Sequence, residues 1–218
     1  MFWPRLSVVF QRLVRLGSYP ACWRQANVTP IPKGPPPSSV TNYQPISITS
    51  VLSKVFERLV SVRLGRCIER SGVQPTTQFA YRRGLGTDDA RFFVSHTLQS
   101  AFESGHEARI VQIDFGGASA RVYHQGILNK LCSEGIGISM LSILTQFLLN
   151  RSQHVILDYC RSKLVNVVSG VPMCSVLGPL LYLLYTTDLF SILENKLIGY
   201  ADDSTLIAVV PSQALEKQ

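Results

Sequence analysis

The sequence lacks several features that would place it quickly in a class. None of its five cysteines belongs to a C-x-x-C pair and their number is odd. A disulfide framework or a zinc site is therefore not expected, and a reducing compartment is the default. The four histidines show no metal-ligand spacing. No tract is long enough for a separate linker and no segment repeats, so we expect one compact domain or two closely joined subdomains.

The sequence also lacks a typical membrane or export signal. The first residues, "MFWPRLSVVFQRLVRLG", have no clean apolar region and no small-residue cleavage site, and their arginines recur at helical spacing. The most apolar later stretch, "VLGPLLYLLYTTDLFSIL", contains Pro179 and Asp188 and is short for a membrane span. We therefore expect an intracellular chain without a membrane partner, and the sequence leaves the compartment and the oligomeric state open.

The chain is rich in apolar residues and carries a surplus of basic residues. Apolar residues make up 46% of the sequence, enough for a real core, so wholesale disorder is not expected. The net charge is +7. A basic surplus on a globular chain indicates a polyanionic partner, either nucleic acid or an anionic membrane surface.

The apolar periodicity predicts an α+β arrangement, with helices first and then a sheet interleaved with helices. "ARIVQIDF" is predicted to be a buried strand that ends at Asp114, and "VTPIPKGPPPSSV" a Pro-rich loop around a short extended piece. Hairpins are predicted for "QHVILDY" and "KLVNVVSG" around "CRSK", and for "KLIGYADDSTLIAVV". The predicted helices cover residues 5–17, 47–70, 88–103, 124–133, 138–150 and 176–193.

Three aspartates stand at the ends of predicted apolar strands. Asp114 ends one strand, and Asp202 and Asp203 lie at the tip of the last hairpin. If the strands are neighbours in one antiparallel sheet, the carboxylates converge at one edge, where they could hold Mg²⁺ for phosphoryl transfer. The alternative is that the pair only forms a turn, which aspartate favours. These residues alone leave both interpretations open.

Six ordered segments resemble the reverse transcriptases of non-LTR (LINE-type) retrotransposons. "YADD" in a hairpin resembles their x-x-D-D signature, "SGVPMCSVLGPLLYLLY" their Pro-Gln-Gly helix segment, and "VQIDFGGASARVYHQGIL" the strand with their first catalytic aspartate. "WRQANVTPIPKG", "NYQPISITSVLSKVFERLV" and "QFAYRRGLGT" resemble their fingers segments. The resemblance runs from about residue 18 to 210.

The resemblance implies a right-hand polymerase fold made of fingers and palm, with an antiparallel palm sheet packed on helices and the thumb absent. It implies a fingers-like segment over 1–105, a palm over 106–210 and a tail over 211–218. The family's reaction is attack of a primer 3′-hydroxyl on the α-phosphate of a deoxynucleoside triphosphate, templated by RNA. The implied partners are an RNA template, a DNA primer and deoxynucleoside triphosphates.

The resemblance also assigns roles to individual residues. Two Mg²⁺ ions are expected, with Mn²⁺ as an alternative. Asp114 and Asp202 would bind the metals, and Asp203 would contribute less directly to the catalytic site. Lys33, Gln44 and Arg82 would face triphosphate or template. The implied nucleotide pocket comprises Phe115, Ser119, Pro172, Met173, Cys174 and Tyr200.

Four departures from the family pattern fall around this pocket. Ser119 stands where the family usually has an aromatic residue, and Ala120 where this branch usually has Asp. The Pro-Gln-Gly segment reads Pro172-Met173-Cys174, and Gln44 replaces an arginine. A methionine cannot donate amide hydrogen bonds, and a cysteine side chain fills space that glycine leaves open. The pattern favours a reverse transcriptase domain with impaired activity; the alternative is a non-catalytic nucleic-acid-binding remnant.

Overall fold

The computed structural model describes residues 3–34, 39–193 and 196–212. The residues within these ranges form two sheets packed with helices, which confirms the predicted α+β class. The helices are α1 (Trp3–Leu16), α2 (Val51–Ser71), α3 (Thr87–Glu103), α4 (His124–Ser133), α5 (Ile138–Leu148), α6 (Gly178–Thr186) and α7 (Leu189–Ile192). The strands are β1 (Gln25–Pro32), β2 (Tyr43–Ile48), β3 (His106–Asp114), β4 (Arg151–Leu157), β5 (Cys160–Arg161), β6 (Val165–Val167), β7 (Lys196–Tyr200) and β8 (Asp203–Pro211).

The chain divides into two compact units that alternate along the sequence. The first unit comprises Met1–Ser71 and Ser119–Tyr185, and the second comprises Gly72–Ala118 and Thr186–Gln218. The predicted division into fingers (1–105) and palm (106–210) has a single boundary, which falls within the second unit; that division stays a prediction. Of the predicted tail, Pro211 and Ser212 are described and residues 213–218 lie outside the described residues.

The first unit is built on a sheet in the order β2–β1–β4–β5, with β6 also paired to β4. Strand β1 runs parallel to β4 and antiparallel to β2. Aromatic side chains fill the core beside the sheet and contact one another at ring-centroid distances of 5.4 to 6.4 Å. Burying such rings stabilises the fold both through their area and through edge-to-face geometry. They are Phe10, Tyr19, Trp23, Phe56 and Phe147.

The Pro-rich segment contains the predicted extended piece: its residues 28–32 belong to β1, while residues 35–38 of the predicted loop lie outside the described residues. Strand β1 continues to Pro32 and pairs with β2, which was not predicted, in the register Pro30 opposite Pro45. Proline is tolerated here because β1 pairs with β4 only from Gln25 to Val28. Beyond Val28 the strand has a free side, where a missing N–H breaks no ladder bond.

The second unit contains a three-stranded antiparallel sheet in the order β3–β8–β7. Phe79, Ala90, Ile198 and Ile207 form its buried cluster. The partly buried hydrophobic residues packed against this cluster include Phe93 and others from α3, so the helix covers one face of the sheet. The hairpin of β7 and β8 that the sequence predicted is therefore present and anchored.

Strand β3 ends at Asp114 as predicted, but the prediction that it is buried was wrong. Ile110 and Val111 are 47% and 52% exposed, and β3 lies at the edge of the sheet, with β8 at its centre. Apolar, β-branched composition indicates a strand without saying which position the strand takes in its sheet. The sequence therefore predicted the strand correctly but could not predict its exposure.

One further boundary differs from the sequence interpretation. The predicted helix 176–193 is divided into α6 and α7, since the chain turns at Thr187 and Asp188. The predicted pairing of "QHVILDY" with "KLVNVVSG" is present, because β4 pairs antiparallel with β6. Within the "CRSK" segment between them, Cys160 and Arg161 also pair with β4, after a turn at Asp158, whose φ is +52°. Within the described residues, no helix combines the length and apolar character needed to cross a membrane.

Candidate active site

Two of the three aspartates face each other across neighbouring strands in the second unit. Asp114, the last residue of β3, is directly opposite Asp203, the first residue of β8. Residues opposite each other in an antiparallel pair have Cα atoms about 4.5–5.5 Å apart and side chains on the same face. Asp202 precedes this pair in the connection between β7 and β8. All three residues are exposed, so the carboxylates stand at one end of the sheet and are accessible to solvent.

The connection between β7 and β8 is a two-residue turn with a strained first residue. Tyr200 pairs with Asp203, which leaves only Ala201 and Asp202 between the strands. The φ of Ala201 is +59°. A two-residue hairpin of type II′ needs positive φ at its first position, which usually belongs to glycine. The position next to Asp202 is thus held in a conformation that a side chain disfavours.

A buried glutamine braces this turn, and the sequence analysis gave it no role. Gln78 is 3% exposed; its Oε1 accepts from the N–H groups of Ala80 and Ala201, and its Nε2 donates to the Ala201 carbonyl. Gly199 makes this approach possible, because a Cβ there would lie 2.6 Å from the Gln78 Nε2. The signal available in the sequence was the glutamine of "QFAYRRGLGT", whose partner lies 123 residues away.

Tyr81 and Arg82 follow Gln78 in the same loop, and Tyr81 interacts electrostatically with Asp202. Burial, then the negative charge of Asp202, raise the pKa of Tyr81 above the ordinary value, so its hydroxyl stays protonated at neutral pH. The φ of Tyr81 is +56°. Arg82, predicted to face triphosphate or template, donates from one guanidinium nitrogen to the carbonyls of Pro75 and Gln78. The structure gives Arg82 a loop-fixing role, and its ligand-binding role stays a prediction.

Tyr200 and Phe115 complete the predicted residues of the second unit. Tyr200 packs against the buried cluster beside α3 and, with Asp203 and Arg91, lines a cavity of about 350 Å³. Packing against this cluster thus explains the position of the Tyr200 ring without a bound nucleotide. Phe115 is half-buried directly after β3, and its carbonyl accepts from the N–H of Ala118.

The carboxylates fit Mg²⁺ as partial ligands. Among the described residues, no three His, Cys, Asp or Glu side chains form a group that could hold a metal ion. Mg²⁺ does not require such a cage, because it is commonly held by one or two carboxylates with waters and substrate phosphates as its other ligands. The opposed pair Asp114 and Asp203, with Asp202 beside it, supplies oxygen donors of this kind.

The predicted pocket residues of the first unit belong to two segments that are joined by backbone hydrogen bonds. The N–H of Val171 donates to the Ser119 carbonyl at 2.7 Å, and the N–H of Gly170 donates to the Val122 carbonyl at 2.8 Å. Gly170 has a φ of +81°, and a Cβ on it would lie 2.6 Å from the Ala120 carbonyl oxygen. Only glycine permits this approach, so the segments are fixed against each other.

In the segment Pro172–Cys174, the departure from the family pattern at Cys174 strains the backbone. Pro172 is buried, Met173 is half-buried and Cys174 is exposed. The φ of Cys174 is +66°. The backbone therefore keeps a left-handed conformation, suited to glycine, at the position where the family usually has glycine. The backbone of Cys174 is therefore strained, because an L-residue disfavours this conformation.

Lys33 and Gln44 lie together at one end of the β1–β2 hairpin. Gln44 is opposite Ile31, and Lys33 directly follows β1, where its N–H donates to the carbonyl of Asn42 at 2.8 Å. Both side chains are exposed. The structure thus brings together two of the three residues predicted to contact triphosphate or template, and neither side chain has a packing role that would account for it.

Comparison with known proteins shows the fold and the family of the chain. Solved telomerase structures share the fold: the Candida tropicalis telomerase in complex with a TWJ fragment of telomeric RNA has a TM-score of 0.63 at 11% identity, over 99% of this chain and 41% of that one. The Candida tropicalis apo telomerase truncated from its C-terminal domain has a TM-score of 0.61 at 10% identity, over 94% of this chain and 48% of that one. At this identity the likeness shows the fold alone.

Sequence relatives are more specific. The probable RNA-directed DNA polymerase from transposon X-element of Drosophila melanogaster is 34% identical over 84% of this chain and 20% of its own length. The RNA-directed DNA polymerase from mobile element jockey of the same species is 31% identical over 93% and 23%. The family model "Reverse transcriptase (RNA-dependent DNA polymerase)" matches residues 31–217. The chain belongs to this reverse transcriptase family, and the predicted resemblance to non-LTR retrotransposon enzymes is confirmed. It spans about a fifth of the length of these relatives.

Proposed function

We propose that the chain is the catalytic part of an RNA-directed DNA polymerase that extends a DNA primer with deoxynucleoside triphosphates on an RNA template. The observation that carries this proposal is the pairing of Asp114 with Asp203 beside Asp202, at one end of the second-unit sheet, in a chain of this family. Two Mg²⁺ ions, when bound, would hold the attacking and leaving oxygens of the phosphoryl transfer. The aspartates are the proposed ligands.

The other predicted residues have proposed roles in binding. Lys33 is exposed at the end of the β1–β2 hairpin, where a cation attracts triphosphate or template phosphate. The segment Pro172–Cys174 and the adjoining Ser119 contribute to nucleotide binding. Tyr81 is a neutral phenol beside Asp202 at neutral pH, and it can donate a hydrogen bond there without adding negative charge.

We further propose that the departures from the family pattern impair activity. Losing an arginine contact to phosphate costs about 1.5–3 kcal/mol and losing a neutral hydrogen bond about 1 kcal/mol. Gln44 and Met173 remove contacts of these two kinds. Two or three such losses in the transition state lower the rate by about two to four orders of magnitude.

A second candidate function, non-catalytic binding of nucleic acid, is favoured by the net charge of +7 together with these departures. Single-nucleotide addition to a primed poly(A) template, with and without Mg²⁺, separates the two functions. Addition that requires Mg²⁺ supports the polymerase. Salt-sensitive binding of the primed template, with no addition even after the family residues are restored, supports the binding remnant.

A further inference from the structure

A buried carboxylate that the proposed function does not use lies in the first unit. Glu57, in the first half of α2, is 0% exposed. A buried carboxylate is costly unless hydrogen bonds or a counter-charge compensate it. The partners of Glu57 therefore indicate what the residue does.

One oxygen of Glu57 binds the backbone at the start of α6. Its Oε2 accepts from the N–H of Val176 at 2.8 Å and from the N–H of Leu177 at 3.4 Å. These groups directly precede α6, which begins at Gly178, and no turn of helix precedes them to supply a carbonyl. The backbone N–H of Val176, two residues after Cys174, thus has its hydrogen-bond acceptor in Glu57, 119 positions away in the sequence.

The other oxygen of Glu57 fixes the direction of its side chain. Its Oε1 accepts from the Ser53 hydroxyl at 2.7 Å and from the Tyr19 hydroxyl at 3.4 Å. Burial, then the charge of Glu57, raise the pKa of Tyr19 well above its ordinary range, so Tyr19 remains a donor. The buried guanidinium of Arg151 interacts electrostatically with both residues and opposes the negative charge.

The pocket segment Pro172–Cys174 is therefore held from both sides. On its N-terminal side, Gly170 and Val171 donate to the segment that contains Ser119. On its C-terminal side, Val176 and Leu177 donate to Glu57. We propose that Glu57 is a positioning residue: through its carboxylate, α2 sets the conformation of Pro172–Cys174 and thereby the affinity for the nucleotide. The nucleotide part of this statement rests on the proposed function.

Two substitutions separate hydrogen bonding from volume. Glu57→Gln keeps the shape and can keep every hydrogen bond, because its carbonyl accepts from the two N–H groups while its amide donates to the two hydroxyls, which also accept; it removes only the charge that faces Arg151. Glu57→Met keeps similar volume but leaves the N–H groups of Val176 and Leu177 without an acceptor. Leu144→Ala, in the fully buried part of α5, is a control that lowers stability without touching this network.

Hydrogen exchange measured by mass spectrometry tests the positioning role directly. In Glu57→Met, peptides containing residues 170–178 should exchange about tenfold faster or more, with peptides from β1 and α5 changed little. Glu57→Gln should restore the slow exchange. Leu144→Ala should not raise exchange selectively in 170–178. Equal acceleration throughout the first unit, or none in 170–178, would overturn the proposal.

Binding of dTTP, measured by equilibrium dialysis with Mg²⁺ and primed poly(A), tests the nucleotide part. Glu57→Met should weaken dTTP binding about tenfold, while Glu57→Gln and Leu144→Ala should leave it nearly unchanged. Local loosening of 170–178 with unchanged dTTP affinity would overturn the link to the nucleotide. If neither the unmodified chain nor a variant with the family residues restored binds dTTP, the proposed polymerase function fails, and the exchange data still decide whether Glu57 positions the segment.

Discussion

Replacing Cys174 by glycine should stabilise the protein, although it removes a side chain. Cys174 has a φ of +66°, a conformation that costs an L-residue about 1–2 kcal/mol. Glycine relieves that strain but adds about 0.4–1 kcal/mol of unfolded-chain entropy. The cysteine is exposed, so little packing is lost. We therefore expect a net gain of about 0.5–1 kcal/mol in the free energy of unfolding.

Urea unfolding followed by tryptophan fluorescence measures this gain. Both tryptophans, Trp3 and Trp23, belong to the first unit, as does Cys174, so the signal reports on the relevant unit. Cys174→Ala is the matched control: it removes the thiol but keeps a Cβ at positive φ, and it should leave the stability nearly unchanged. Equal stabilities for the glycine and alanine variants would refute the reasoning from backbone strain.

Three further predictions concern other parts of the molecule. Gly170→Ala should lower the free energy of unfolding by about 3 kcal/mol, because its Cβ would meet a backbone carbonyl oxygen at 2.6 Å; a loss below about 1 kcal/mol in urea unfolding would contradict the packing. Asp202→Asn should lower the pKa of Tyr81, because the carboxylate raises it; an unchanged NMR titration of labelled tyrosine would show that the charge does not reach the hydroxyl. Binding of an RNA–DNA duplex should weaken steeply with salt, and Lys33→Ala should reduce the slope of log K against log salt by about 1; a flat dependence would exclude a phosphate-binding surface.

Local pattern was sufficient to predict the hairpin of β7 and β8 and the end of β3. Each strand has a clear apolar run, and the aspartates mark where the runs stop. The pairing of Asp114 with Asp203 followed once the strands were taken as neighbours. That β3 and β8 are neighbours in one sheet was predicted from the family resemblance. Local propensity could not predict it, since the paired residues Asp114 and Asp203 are 89 residues apart in the sequence.

The remaining differences arise from tertiary contacts that override local signals. Two prolines, at positions 30 and 32, indicated a loop and yet lie in a strand that pairs with β2, because the N–H groups they lack face no partner strand. Gln78 and Glu57 carry no local signature, and their roles arise from backbone groups 123 and 119 residues away. Such bracing residues become visible only when burial and partners are known.

The central claim is that the aspartates at the end of the second-unit sheet carry metal-dependent nucleotide addition. The most direct test uses a variant with the family residues restored: Gln44→Arg, Ser119→Phe, Ala120→Asp, Met173→Gln and Cys174→Gly. Single-nucleotide addition to primed poly(A) is then compared in this background with and without Asp114→Asn. The account predicts addition that requires Mg²⁺ and that falls by about three orders of magnitude or more in the Asp114→Asn variant. Addition that persists without Asp114, or that needs no divalent ion, would contradict it.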